Sequence, residues 1–272
     1  MATHWLDHLT VDELVRRIVL RTPIVLDIGC GIRPQSLFKP AVHICCEPHA
    51  EYLEALKDYF KGANAVLIPT SAQDAVKWMP DKSVDSVFMI DFIEHIEKSE
   101  GEAILKECER IARQEIVVFT PLGFMPQHYE GNELDAWGLH GTRWQTHRSG
   151  WVPEDFPSWH VFGAARYHTV LDRATGEQRS YGAFWAIRRF ARIERDAGYD
   201  LASGKKKSWF GSATIDIDRQ VAKALPGALR FAELKRLAEQ LASVGLRPKS
   251  WTWRVRLGLG QVRWYLRHFL NG

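Results

Sequence analysis

Along this chain, short, mostly apolar runs alternate with longer stretches in which apolar residues return every three or four positions. Runs of the first kind lie near residues 24–28, 42–46, 65–69, 85–90 and 115–119. A short apolar run bounded by turn residues is the pattern of a strand covered on both faces. Between them, Leu14, Val15, Ile18 and Val19 predict a helix from about Val11 to Arg21, capped by Thr10 or Asp12. Tyr52, Leu53, Leu56 and Phe60 predict a second helix, and Ile104, Leu105, Cys108 and Ile111 predict one over Gly101 to Arg113. Strands and helices in strict alternation imply an α/β, doubly wound parallel sheet, with ligands at the carboxyl ends of the strands.

After the fifth strand the periodicity lapses over about residues 122–153, a stretch holding His128, Tyr129, Asp135, Trp137, His140, Trp144, His147 and Trp151. Structureless segments of this length in a domain are functional or disordered, and the aromatic density argues for function. We read it as a lid over an acceptor site, whose flat, polar-edged rings suit a substrate of mixed polarity such as a sugar. Packing of the same rings onto the core is the competing reading. Two stretches compete to close the sheet. The pair of strands within 159–189 is favoured over the helix and strand within 231–257, because a strand with arginines on one face suits an edge.

Composition adds an asymmetry. The net charge of the 272 residues is +3, but residues 1–202 hold 22 basic against 29 acidic side chains and residues 203–272 hold 14 against 4. The chain therefore divides into a catalytic domain over 1–195 and a basic extension over 196–272. The extension's closing segment carries Val262, Leu266, Phe269 and Leu270 as a helical stripe, with Arg263 and Arg267 placed to meet phosphates at an anionic membrane surface. Nucleic acid is the weaker alternative partner for that surface, and packing onto the core or a second subunit is the structural one. No secretory leader and no run of eighteen apolar residues is evident, so a cytoplasmic protein, peripheral to the membrane at most, is expected. Cys30, Cys45, Cys46 and Cys108 lack metal-finger spacing and read as reduced packing residues.

Chemistry concentrates at three places. In "VLDIGCGIRP" an apolar strand runs through Asp27 into Gly29 and Gly31, a turn that lets backbone approach a ligand. Glu47 ends the second strand, twenty residues after Asp27, where an acid accepts hydrogen bonds from both hydroxyls of a ribose. The third glycine of a dinucleotide fingerprint and the Lys-Ser/Thr of a phosphate loop are both missing, which disfavours dinucleotides and ATP. In "SVDSVFMIDFIEHIEKSEG", Asp91, Glu94 and His95 follow the fourth strand with spacings of three and four, which would share one helix face. Two carboxylates and an imidazole on one face can hold Mg²⁺ or Mn²⁺.

These stretches resemble the class I S-adenosylmethionine-dependent methyltransferases over roughly residues 20–190. The resemblance implies a Rossmann-like fold with S-adenosylmethionine as cofactor. Asp27, Gly29, Gly31 and Asp91 would surround its methionine part, Glu47 would hold the ribose, and Ser71 and Ala72 would flank the adenine. Many relatives carry an acid where Ser71 stands, so that contact falls to Ser71, to Asp74 or to backbone. Asp91-Phe92-Ile93-Glu94-His95 is similar to the E-x-x-E-H segment of the ubiquinone-biosynthesis and small-RNA 2′-O-methyltransferases, with Asp91 in place of the first glutamate. His147 in "THRSGWVPEDF" would then complete a metal site with Asp91, Glu94 and His95. Without a metal, Glu94 would cap and His95 or His147 would act as general base. The segments around "TPLGFMPQ" and "HRSGWVPEDF" resemble methyltransferases of bacterial surface-polysaccharide pathways, which implies O-methylation of a sugar or glycan, lipid-linked in one version. An RNA or quinone-type phenol O-methyltransferase and a non-catalytic cofactor-binding scaffold are the alternatives.

Overall fold

The computed structural model describes residues 3–129, 133–171, 177–190, 199–200, 205–206 and 217–243. In chain order the elements are β1 (Thr3–Trp5), α1 (His8–Ile18), β2 (Ile24–Ile28), β3 (Val42–Cys46), α2 (Ala50–Tyr59), β4 (Ala65–Ile68), α3 (Ala72–Trp78), β5 (Val84–Ile90), α4 (Lys98–Ile111) and β6 (Ala112–Pro121). They continue with the single turn α5 (Thr142–Gln145), β7 (His160–Leu171), β8 (Gln178–Arg189), the ribbon strands β9 (Tyr199–Asp200) and β10 (Lys205–Lys206), and α6 (Ile217–Ser243).

Eight strands form one sheet in the order β1-β7-β8-β6-β5-β2-β3-β4. Strands β2 to β6 run parallel, β8 enters antiparallel between β6 and β7, and β1 adds a parallel edge to β7. The order reverses between β2 and β5, so a crevice opens at their carboxyl ends, where α/β sheets bind ligands. Alternation along the strands feeds two cores. Leu26 and Ile28 of β2, with Val87 and Met89 of β5, face α3 and α4. Val25 and Phe88 face the other way, toward α1, and Ile217, Val221 and Ala228 of α6 close that layer against Leu14, Val15 and Ile18. The favoured pair of closing strands is therefore the observed one, and β8 is interior.

Several boundaries differ from the periodicity. The first helix spans His8–Ile18 rather than 11–21, because the Asp7 carboxylate caps it by accepting from the Thr10 amide at 3.2 Å; Thr10 lies inside the helix and is buried. Helix α4 begins at Lys98, not Gly101, where the Glu100 carboxylate reaches back to the Glu97 amide at 3.3 Å. It ends at Ile111, so Arg113 belongs to β6, where it bonds Asp85 at 3.1 Å. The helix read within 231–257 begins much earlier, at Ile217, and carries Pro226 inside it. The closing segment with Arg263 and Arg267 lies outside the described residues. Among the described residues no helix is long and apolar enough to cross a membrane.

Candidate active site

Beneath the crevice, β2 and β3 lie in register with Asp27 beside Cys45. Asp27 is buried, and its Oδ2 accepts from the Gln35 amide at 2.6 Å and meets His43 Nε2 at 3.0 Å. Its Oδ1 is buried with no protein partner. Burial opposes a charge on His43, but the Asp27 carboxylate and Cys45 outweigh it and push the imidazole up to about 9. Glu47 is also buried; Oε2 accepts from the Gly31 amide at 3.0 Å and Oε1 from the His49 amide at 2.9 Å. Desolvation pushes its carboxyl up to about 7 against those two donors. Gly29 and Gly31 both take left-handed conformations, φ +62° and +53°, which side chains other than glycine adopt with strain. Their missing side chains make room for protein aromatics. A Cβ on Gly29 would lie 2.0 Å from the Phe92 ring, and one on Gly31 would lie 2.5 Å from Trp137.

Trp137 belongs to the irregular segment after β6, which docks on α2. Asp135 is the fastener. Its carboxylate accepts from the amides of Trp137, Leu139 and Gly141 at 2.8, 3.0 and 3.2 Å and from the Tyr52 hydroxyl. His140 adds a bond to Glu51 at 2.9 Å. Gly141 must be glycine here, since a Cβ would run into the Tyr52 hydroxyl. Ser71 caps α3, accepting from the Asp74 amide at 3.2 Å and donating to the Asp74 carboxylate at 2.9 Å, so these two polar groups are engaged with each other beside Ala72.

At the carboxyl end of β5 the chain turns sharply. Asp91 sits at φ +48°, and its amide donates to the Phe119 carbonyl at 3.0 Å. The expected helix face through Asp91, Glu94 and His95 does not form. A single 3₁₀ turn, Ile93–His95, replaces it, and α4 starts only at Lys98. The left-handed residue changes the chain direction before the turn begins, so Asp91 parts from the other two. It is solvent-exposed yet closely surrounded, the position of a group lining an open cleft; desolvation pushes its carboxyl up to about 7, with Arg33 drawing it back.

Glu94, His95 and His147 converge, each offering one ligand atom, all within 4.8 Å of one another. Asp91 is not in that group, and neither are His128, His140 or His160. Backbone fixes both rings. His95 Nδ1 donates to the Thr146 carbonyl at 3.3 Å and His147 Nδ1 to the Met125 carbonyl at 2.6 Å, which leaves each Nε2 as a lone-pair donor. Burial keeps both neutral, His95 pushed down to about 4 and His147 lowered. Glu94 is buried and accepts from the Thr120 hydroxyl at 3.0 Å, and desolvation raises its carboxyl well above the usual range. The segment carrying His147 is tied to the 3₁₀ turn: the Arg148 and Ser149 amides donate to the Glu94 carbonyl at 2.7 and 3.1 Å, and the Trp151 indole donates to the Ile93 carbonyl at 3.2 Å. Trp151 is fully buried over Gly101, where a Cβ would meet its ring at 2.5 Å.

Sequence reasoning passed over Thr120 and His168. The His168 Nε2 is buried without a partner, and its ring stands 6.3 Å from that of Phe119. The signal for Thr120 was its place at the end of β6; His168 in β7 had none.

Residues 26–119 match the family model described as a methyltransferase domain. Among solved structures, the chain is similar to magnesium protoporphyrin IX methyltransferase of Synechocystis at 14% identity, covering 65% of this chain and 76% of that one with a TM-score of 0.39. A methyltransferase of Methanosarcina mazei gives 12% identity, 66% and 98% coverage and 0.44, and one of Archaeoglobus fulgidus 15%, 64% and 88%, and 0.38. A search of curated proteins finds no match. The matched segment runs from β2 through β6, the parallel part of the sheet that holds the glycine turn, Glu47 and the 3₁₀ turn of Glu94 and His95. Residues 26–119 thus carry a methyltransferase domain.

Proposed function

We propose that this enzyme is an O-methyltransferase that moves the methyl group of S-adenosylmethionine to a hydroxyl held at Glu94, His95 and His147, with a divalent ion, Mg²⁺ or Mn²⁺, at those three residues. The observation that carries the reading is the convergence of one carboxylate and two imidazoles, each imidazole with Nδ1 held by a backbone carbonyl, at the carboxyl end of β5. The pocket chemistry fits the cofactor. Asp27 Oδ1 is a buried acceptor without a partner, suited to an ammonium, and Glu47 presents a carboxylate where ribose hydroxyls would lie. The donor set fits a divalent ion as well, since two neutral imidazoles and a carboxylate are among its usual ligands. S-Adenosylmethionine supplies a methyl group on a sulfonium, and a divalent ion lowers the pKa of a hydroxyl it binds.

The chain's own residues would do the rest. Glu94 and the two imidazoles orient the acceptor oxygen, with the Met125 and Thr146 carbonyls holding the rings in one tautomer. Phe92 and Trp137 cover the glycine turn and keep water from the sulfonium side. The cleft lined by Asp91 and the aromatic lid support an acceptor of mixed polarity with neighbouring hydroxyls, a sugar or glycan in preference to RNA or a quinone-type phenol. If that glycan is lipid-linked, the basic residues of 203–272 supply contact with an anionic membrane surface.

His147→Ala should lower turnover by about 10²-fold or more while leaving cofactor affinity unchanged, because the cofactor has its own contacts. The measurement is methyl transfer to a panel of nucleotide sugars, lipid-linked glycans, phenols and RNA, with and without chelator. Full activity in metal-free enzyme overturns the metal reading and leaves a histidine base; no transfer to any hydroxyl overturns O-methylation.

A further inference from the structure

We infer that His168 is an acceptor-binding residue whose Nε2 hydrogen-bonds an uncharged hydroxyl of the acceptor other than the one that takes the methyl group, a placement that rests on the reading of Glu94, His95 and His147 as the seat of the reacting hydroxyl. The strand registers put His168 on the ligand side of the sheet. Pro121, the last residue of β6, pairs with Ala183 of β8, and Ala183 pairs with Ala164 of β7. Residues 165–171 of β7 therefore run beyond the level at which β6 ends, past the carboxyl edge where an α/β sheet receives its ligands.

The ladder is irregular there: four steps along β7, from Ala164 to His168, match two along β8, from Ala183 to Tyr181. Bulges of this kind re-aim side chains. Tyr167 and His168, neighbours in the strand, both bring their rings to Phe119, with centroids 5.1 and 6.3 Å from its own. Phe119 ties this wall to the rest of the site. Its carbonyl accepts from the Asp91 amide at 3.0 Å, and the next residue, Thr120, donates to Glu94 at 3.0 Å.

Other polar atoms of the wall are settled by one carboxylate from α1. The Tyr167 hydroxyl donates to Asp12 Oδ2 at 2.7 Å, and the Trp185 indole donates to Oδ1 at 3.1 Å. His168 lies against the ring so held, 4.8 Å between centroids, yet its own Nε2 is shielded from solvent and has no hydrogen-bond partner among the described residues. A phenylalanine would pack there without that loss. A buried polar atom left unpaired costs free energy, which a ligand atom pairing with it recovers. An ionised partner would lose its water among the rings of Phe119 and Tyr167, so a hydroxyl suits the position better.

The test uses the full chain and two probes, methyl β-D-glucopyranoside, with hydroxyls beyond a vicinal pair, and catechol, with the pair alone. A site built to bond a hydroxyl discriminates against acceptors that lack it. His168→Phe should therefore lower kcat/KM for the glucoside about five- to tenfold, mainly through KM, and leave catechol within about twofold. His168→Gln, which keeps a side-chain amide to bond the hydroxyl, should recover most of the loss. Equal losses on both probes would make His168 a packing residue and overturn the proposal, as would an unchanged value for the glucoside. Binding is read without turnover and without a variant, in ring ¹⁵N NMR spectra of the wild-type chain saturated with S-adenosylhomocysteine. The glucoside should shift the His168 Nε2 resonance and catechol should not. A shift with no methyl transfer to either probe would remove the O-methylation reading and leave the His168 site standing; no shift with the glucoside, up to its solubility limit, would overturn the His168 site whatever the turnover.

Discussion

On the β2–β3 side of the crevice, polar groups are held by backbone close by in sequence: Asp27 by the amide of Gln35, Glu47 by those of Gly31 and His49. Across β5 the opposite holds. Glu94 meets Thr120, and the Ile93 carbonyl meets Ser149 and Trp151, so this side is assembled from segments far apart in the chain. The first side is a preformed turn whose shape depends on a few residues. The second depends on the whole sheet being closed by β8 and on the segment after β6 being laid across it. The two sides should therefore fail differently, the first by losing cofactor and the second by losing stability and turnover.

The largest effect is expected on the assembled side. Trp151→Ala removes a fully buried ring and its bond to the Ile93 carbonyl, and should cost about 3–5 kcal/mol in denaturant unfolding. An unfolding midpoint equal to wild type would show that the second side is not assembled through this residue. On the preformed side, Gly29→Val forces a branched residue into φ +62°, at about 1–2 kcal/mol for the backbone alone, and drives it into Phe92. Calorimetry should find cofactor binding lost with far less change in thermal stability than Trp151→Ala produces.

A pH titration sharpens the comparison further. In the metal-free protein His95 is pushed down to about 4 and His147 is lowered, whereas in the unfolded chain both titrate near 6.5. Their contribution to stability is thus complete above pH 6.5 and is lost as pH falls toward 4, because the unfolded state takes up the protons first. The melting temperature should drop between pH 7 and 5, and His95→Gln should flatten that slope. The smallest effect is expected where the two sides touch. Tyr52→Phe removes one of four donors to Asp135, worth about 1 kcal/mol. It should speed hydrogen exchange of the amides at Trp137, Leu139 and Gly141 about fivefold, with the rest of the sheet unchanged.

The preformed side was legible because its signals are local. The runs at 24–28 and 42–46 are the observed β2 and β3, and Asp27, Gly29, Gly31 and Glu47 all meet at the turn between them. What the two glycines make room for was not legible: Phe92 lies 63 residues after Gly29 and Trp137 lies 106 after Gly31, and only the folded sheet brings them together. Glu94, His95 and His147 were found through a family pattern, and the structure joins them. The expected helix face through Asp91 is absent for a physical reason. Spacing assumes continuous helix, and one left-handed residue at the end of β5 breaks the register. The true caps of α1 and α4 lay a few residues upstream of the apolar stripe, where Asp7 and Glu97 carry no periodic signal.

The Asp135 carboxylate binds one hydroxyl of α2 and three amides of the irregular segment after β6. Trp137, in the same segment, rests on the glycine turn. A ligand that entered at the turn and bound differently as Trp137 moved would change the free energy of that segment and of whatever it holds. Such coupling is reciprocal by thermodynamic necessity: by whatever factor a bound methyl donor tightens the acceptor, the acceptor tightens the donor by the same factor. Were both ligands to bear on this segment, their binding equilibria would be linked through the Asp135 carboxylate.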